Sequence, residues 1–560
     1  MDTIEDTNSL KIPFRIRIGV FGATSLTKAE ADAAEVGINE VLDKRIFTLY
    51  GKDSAKLKSE KLTKTEKPTP VAFTAATALA GDAERLLANV VLHREQGAVD
   101  VILPCSRTDF VREFVPTESR AHFETLFSQS RRPVNLNVKM GLEKLTGTER
   151  TKARRGVLVQ TAYHVVDVCD MLVVVPGESD DDVEIAARVV EYAKTKQRPM
   201  IRIPLHASSE VTTESGQILS ASAMAGLDVF NIFAVTQKEQ EKYVASIEKD
   251  LFVHVPDVDE VTIQNVHNYL LPYYVRASRL AKANQKQYQR AGLLVYSFSA
   301  TAVAAVALGT LVHKLTPWAF GFELLLLLAI LITVFWADRK RTHNKWIECR
   351  FLAERLRAAE FLALCGVEVT PIQAPSHLGA LGQADDWTLM AFNEIWQRLP
   401  VMKGCDSKLF PQLKEFIRQR WIEKQIEYHN IKSGKSRNKS RRLERGGLVI
   451  FSLALLAAAL HLAFYFLGNE WLEAPITFAA IVLPAVGAAI GGIRTHREYS
   501  RLAKRSENMV QSLTELKDNL DRATSTGEFE ALLREIEQLM LIETQDWLML
   551  MRFAKLETAA

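Results

Sequence analysis

Three short stretches carry residue types that could hold or transform an anionic, sugar-bearing ligand. In GVFGATS, residues 19–25, Gly19 and Gly22 let the backbone turn sharply behind an apolar run, and Thr24 and Ser25 offer hydroxyls to a phosphate or a ribose. In AGDAER, residues 80–85, Gly81 and Asp82 stand at a helix start, with Asp82 readable as the N-cap or as a ligand group and Arg85 as a counter-ion. The third stretch, DMLVVVPGESDDDVEIAARVVEYAK at 170–194, reads as a buried strand, a loop opening on Pro176 and Gly177, and a helix. Strand, loop and helix in that order hold anions on a helix N-terminus in many α/β folds. Here the loop bears Glu178, Asp180, Asp181 and Asp182, which repel a bare phosphate but accept hydrogen bonds from ribose hydroxyls or a base amino group. The expectation is therefore a nucleotide with its phosphates near Gly22–Ser25 and Gly81, Arg85 opposite them, and Gly177 and Glu178 against the sugar or base. The alternatives are that the acidic loop meets a basic patch on a neighbouring subunit, or that the domain serves assembly alone.

The elements that must position these groups alternate between apolar strands and helical patterns, which predicts an α/β Rossmannoid domain with a parallel sheet. Strands are predicted at 14–22, 45–51, 71–77, 99–104, 133–137, 171–176 and 199–204, with helices at about 28–42, 82–96, 117–129, 156–168 and 183–196. A doubly wound sheet opens its ligand crevice at the carboxyl ends of its strands, where all three stretches fall.

Beyond this domain the composition changes. Residues 291–312, 317–337, 447–467 and 474–493 are almost free of charge, each long enough to cross a hydrocarbon core of about 30 Å. Arg290, Arg339, Lys340, Arg341, Arg441, Arg442, Arg445, Arg494 and Arg497 flank them on one side, while the links HKLTP and GNEWLEA within each pair hold little charge. The positive-inside rule then predicts two hairpins dipped into a membrane from the cytoplasm, with both termini and 338–446 cytoplasmic. The N-terminus MDTIEDTNSL is polar and acidic, so no signal peptide is expected. Five cysteines, an odd count without CxxC spacing, predict reduced thiols in place of zinc or disulfides, and neither a metal, a cofactor nor a nucleic-acid partner is expected. The expected domains are 1–215, a helical connector 216–290, a first hairpin 291–337, a cytosolic helical segment 338–446, a second hairpin 447–493 and a C-terminal helical hairpin 494–560.

Within the membrane half, a helix is expected over 236–252, and another runs without a breaker from Tyr273 through Tyr288 into the first span. Glu323 and His461 are the strongly ionisable groups inside the spans, a functional signal by default, although both lie within reach of the interface. Pro484 is placed to kink the fourth span, and Gly487 and Gly491 form GxxxG beside Ala485, Ala488 and Ala489, a face suited to close helix approach. Tyr499, Leu502, Ser506, Met509, Leu513, Leu516 and Leu520 make a heptad seam, read either as an intramolecular hairpin or as an oligomerisation surface, and Ser525 with Glu528 reads as a capping box. SGKS at 433–436 is no phosphate loop, since no strand precedes it and His429 stands where its first glycine belongs. It is a basic juxtamembrane stretch facing anionic headgroups.

GVFGATSL (19–26), ALAGDAERLLA (78–88), ILPCSRTDF (102–110) and YHVVDVCDMLVVVPG (163–177), in that order, resemble the SLOG superfamily of Rossmannoid nucleotide-sensing domains and phosphoribohydrolases. The enzymatic members carry PGGxGTxxE in the last loop; here Pro176, Gly177 and Glu184 match, and Glu178, Asp180 and Asp181 replace the inner glycines and threonine. The resemblance thus implies a sensor, or a membrane-anchored nucleotide hydrolase with Glu184 as its catalytic residue. WIECRFLAERLR (346–357), WIEKQIEYH (421–429) and LPAVGAAIGGIRTHREY (483–499) resemble the two-span SLATT effectors that accompany SLOG domains in bacterial conflict systems. Together they imply a homo-oligomeric, pore-forming or membrane-disrupting effector in antiviral defence, switched by a nucleotide second messenger or an NAD-derived ligand. A ligand-independent scaffold or channel is the remaining alternative.

Overall fold

The computed structural model describes residues 11–58, 69–112, 117–131, 133–136, 146–205, 210–214, 216–233, 241–242, 245, 260–369, 387–400, 404–467 and 470–552. They form two compact units: Met1–Ala234 with Ile372–Val401, and Val235–Pro371 with Met402–Ala560.

The first unit is a seven-stranded sheet in the order β4-β3-β2-β1-β5-β6-β7. Its strands are β1 (Phe14–Gly22), β2 (Val71–Thr77), β3 (Ala98–Leu103), β4 (Val134–Asn135), β5 (Met171–Val175), β6 (Met200–Arg202) and β7 (Thr212–Glu214). All neighbours run parallel except β6 and β7, an antiparallel edge the sequence reading did not anticipate. The central strands β1 and β5 are largely buried on both faces because helices cover both faces, the usual condition of a parallel sheet. Register brings Gly19 beside Ala76 of β2, and Gly22 beside Val175 of β5, so the three chemically interesting strand ends lie side by side.

One predicted strand is corrected. Residues 45–51 are helical: the helix Lys28–Glu40 continues through a π-turn at Val41–Arg45 into Ile46–Thr48. Leu42, Ile46 and Tyr50 are buried, and their spacing of four puts them on one helical face, which overrides the strand preference of Ile46 and Phe47. The unit also runs past the expected boundary at 215, through the helix Ser222–Ile232, and takes in the helix Trp387–Trp396 from the segment between the two hairpins.

The described residues of the second unit form helices and no strand. The entry helix Leu271–Leu311, begun by Pro272, carries the first span without interruption from its polar N-terminal part, as its unbroken sequence predicts. Thr316–Arg339 completes the first hairpin, and Thr342–Leu364 follows it. Lys424–Leu467 contains the third span, Glu470–Arg497 the fourth, and Tyr499–Arg522 and Thr526–Arg552 close the chain. Among the described residues four helices are long and apolar enough to cross a membrane. Their large side chains point outward, Leu324 at 60%, Phe451 at 67% and Phe466 at 78% exposure, an apolar surface of the kind a hydrocarbon layer covers. The protein is a membrane protein with an α/β unit ahead of its spans. Arg341 and Glu498, both in the left-handed region at φ 50° and 48°, turn the chain from the second and the fourth spanning helix into the next one. The expected connector helix over 236–252 lies almost entirely outside the described residues.

The heptad seam is buried inside the chain: Ser506, Met509, Leu513, Leu516 and Leu520 are covered, and their helix packs on Lys424–Leu467 and on the final helix. At the start of that final helix Ser525 accepts from the Glu528 amide, while Glu528 reaches back to the Thr524 N–H, one residue beyond the expected box partner.

Candidate functional site

At the carboxyl ends of β1, β2 and β5 a crevice is lined by Gly22, Thr24, Gly81, Glu84 and Asp182 over an apolar floor that includes Val20, Leu158 and Ile185. The space open to water is about 30 Å³, room for one or two water molecules, so a nucleotide enters only if the loop above it moves.

The glycines permit backbone to meet backbone here. A Cβ on Gly22 would fall 1.9 Å from the Val175 carbonyl oxygen, and one on Gly81 2.9 Å from Thr24 Cα. Gly177 leaves space for the Asp182 side chain, and Gly19 for Cys169 and Val165 beneath the sheet. Gly19 is thus a packing glycine behind the crevice, while the other three shape its rim.

The donors expected to face phosphate face carboxylates of the chain itself. The Thr24 N–H and hydroxyl donate to Asp182 at 3.3 and 2.5 Å, the Leu26 N–H to Asp82 at 3.1 Å, and the Ala80 N–H and Thr77 hydroxyl to Glu84 at 2.9 and 2.8 Å. Glu84 is 5% exposed, and that burial pushes its carboxyl pKa up. Asp182 is held over the crevice because Ser179 caps the helix Asp180–Thr195 and accepts from the Asp182 amide. One of the four loop acids therefore stands where an incoming anion would meet Thr24. Asp181 pairs instead with Arg155 of the helix Gly147–Val168, and Glu184 pairs with the same arginine, outside the crevice lining. Ser25 and Glu178 are exposed at the rim.

Arg85 is 2% exposed and turned inward: Nε donates to the Leu79 carbonyl at 2.9 Å and a terminal nitrogen to Ser119 at 2.5 Å, with Asp82 3.8 Å away. Burial lowers its pKa, and its grip fixes Leu79 in the left-handed region at φ 58°. Asp182, Glu84, Arg155 and Ser119 were not named from sequence in these roles. Their one advance signal was Glu84 and Asp182 falling in the first turns of helices that leave strand ends.

In the membrane half, His461 Nδ1 lies 2.8 Å from the hydroxyl of Thr477, a pairing across the second hairpin, and Glu323 is half-buried. Pro484 lies inside the fourth helix and is exposed. The glycines of closest helix approach are not the GxxxG pair. A Cβ on Gly292 would fall 2.2 Å from His496, and one on Gly492 2.2 Å from Tyr296, whereas around Gly491 nothing lies within 4 Å and Gly487 has only Ile450 at 3.7 Å. The first and fourth spanning helices thus dock through Gly292 and Gly492. Gly492→Leu is expected to cost about 1–3 kcal/mol in detergent unfolding, and Gly491→Leu less than about 0.5 kcal/mol in the monomer; equal costs would contradict this docking.

Just below that contact the Tyr288 ring sits 4.3 Å from His343, 4.6 Å from His496 and 5.9 Å from Trp346, and Arg497 donates to the Gln289 carbonyl at 3.2 Å. Burial, reinforced by Arg497 and His343, holds the His496 pKa down to about 4.

No curated protein and no solved structure matches the chain. Residues 416–547, which contain the second hairpin and the helices on either side of it, match the family model of the SMODS and SLOG-associating 2TM effector domain 1.

Proposed function

We propose that the protein is a nucleotide-responsive membrane effector, in which a SLOG-like α/β unit senses a ligand at its strand-end crevice and the helical unit opens or disrupts the bacterial inner membrane during defence. The observation that carries this reading is the second hairpin: an outward apolar surface on helices whose sequence matches a membrane effector domain. Both termini lie in the cytoplasm in this account, as the basic flanks require, and the outward face of Gly487 and Gly491 supports association of copies in the membrane. The unit works as a sensor and not as a hydrolase, because Glu184 is engaged by Arg155 away from the crevice. A nucleotide second messenger or NAD-derived ligand binds by displacing Asp182 from Thr24, its phosphates taking the freed donors while Glu178 meets the sugar or base. Calorimetric titration of the full chain in detergent with a panel of cyclic, linear and NAD-derived nucleotides tests this. Binding by at least one, weakened tenfold or more by Thr24→Val, is expected; no heat with any of them would contradict the sensor role.

A further inference from the structure

We propose that the helix Trp387–Trp396 is a strap by which the α/β unit acts mechanically on the chain between the two membrane hairpins. By sequence it belongs to that inter-hairpin segment, yet it is built into the first unit. Trp387 fills the space left by Gly226, where a Cβ would fall 2.2 Å from its ring, and lies 5.8 Å from Phe230. Glu394, 3% exposed, sits between two cations: Arg15 Nε of β1 is 2.7 Å away, off the guanidinium's N–H line, and Arg131 donates at 3.2 Å while also holding Asp100 at 2.9 Å. Arg398 then donates to the Lys11 carbonyl at 3.1 Å.

The chain that leaves this anchor is short and pinned again at once. Only residues 401–403 separate Pro400 from Gly404, whose N–H donates to the Gly366 carbonyl at 3.0 Å. Gly366 and Gly404 adopt φ of 71° and 88°, and a Cβ on Gly366 would fall 2.3 Å from the Gly404 oxygen, so the pairing requires glycine. The next residue, Cys405, donates its N–H to Glu530 at 3.2 Å. Gly366 terminates the helix Thr342–Leu364, which follows the second span, and Phe410–Phe416 leads from Gly404 towards the helix of the third span. Both hairpins are therefore joined to the ion cluster through three residues whose neighbours on either side are held, and a link that short, held at both ends, passes on displacement.

Peptide-resolved maleimide labelling of the full chain in lipid nanodiscs tests the strap, with Cys365, 1% exposed beside the Gly366 pairing, as the reporter. Glu394→Gln is expected to raise the Cys365 labelling rate at least tenfold. A ten-residue Gly-Ser insertion between Val401 and Met402 is expected to abolish that increase. Phe123→Ala, which weakens the same unit at its contacts with Phe110 and Phe127 and removes no contact of the strap described above, is expected to leave Cys365 unchanged. Should Glu394→Gln fail to fold, Arg398→Ala carries the test, with a smaller rise in the same direction. The proposal is overturned if the folded variants leave Cys365 unaltered, if the insertion preserves the increase, or if Phe123→Ala produces it equally.

Discussion

Replacing Glu394 with alanine is expected to destabilise the α/β unit by about 3–5 kcal/mol, because it strands the buried Arg15 and takes from Arg131 one of its two carboxylates. Arg15 is 7% exposed, and burial already lowers its pKa; without the carboxylate its charge is left with the Phe73 and Gln96 carbonyls, the Thr74 hydroxyl and the more distant Asp100. Arg131 retains Asp100 and suffers less. The asymmetry makes a second expectation: Glu394→Ala combined with Arg15→Met should recover most of the loss, since removing both members of a buried pair is far less damaging than removing one. Urea unfolding followed by tryptophan fluorescence measures both, since Trp387 and Trp396 lie on the strap helix itself. A loss below about 1 kcal/mol for the single change would show that water reaches the cluster.

Acid should weaken the helical unit by a different route. His496 has its pKa held near 4 by burial and by Arg497 and His343, and His429 is held near 4 by burial and by Lys432 and Arg357, with Glu354 opposing. In the unfolded chain both return to about 6.5, so between those limits the unfolded state binds more protons and stability rises with pH. The contribution is complete above pH 6.5 and is lost as pH falls towards 4, on the order of 3 kcal/mol for each histidine. Thermal melting in detergent across that range should show the decline, and His496→Asn should flatten part of it. His496 also packs on Gly292 and faces Tyr288, so its protonation places a charge at the junction of the first and fourth spanning helices. A melting temperature constant from pH 7 to 4 would contradict the burial of both rings.

Much of the frame was readable from residues alone, for physical reasons. FRIRIGVFG and VAFTAAT are predominantly apolar runs bounded by polar turns, and both are strands over the predicted residues. The spans were legible because hydrocarbon imposes length and composition together. Residues 45–51 misled because Ile46 and Phe47 favour strands locally, while the spacing of Leu42, Ile46 and Tyr50 decides in favour of helix. The strap was invisible since nothing local ties WTLMAFNEIW to a strand more than 370 residues earlier; its trace was Arg15 inside one apolar run and Glu394 inside another. The crevice shows the same division. Its strand ends follow from periodicity, but which of four neighbouring acids turns towards Thr24 depends on the Ser179 cap and on the space above Gly177.

The central claim, that ligand capture by the α/β unit changes the permeability of the membrane holding the helical unit, is tested most directly by potassium efflux. The full chain is reconstituted into liposomes of bacterial lipid composition, and the nucleotide panel is added outside. The account predicts efflux that begins on addition of the nucleotide detected by calorimetry and is lost in the Thr24→Val variant. Liposomes that contain inserted protein, bind nucleotide and stay sealed would contradict it.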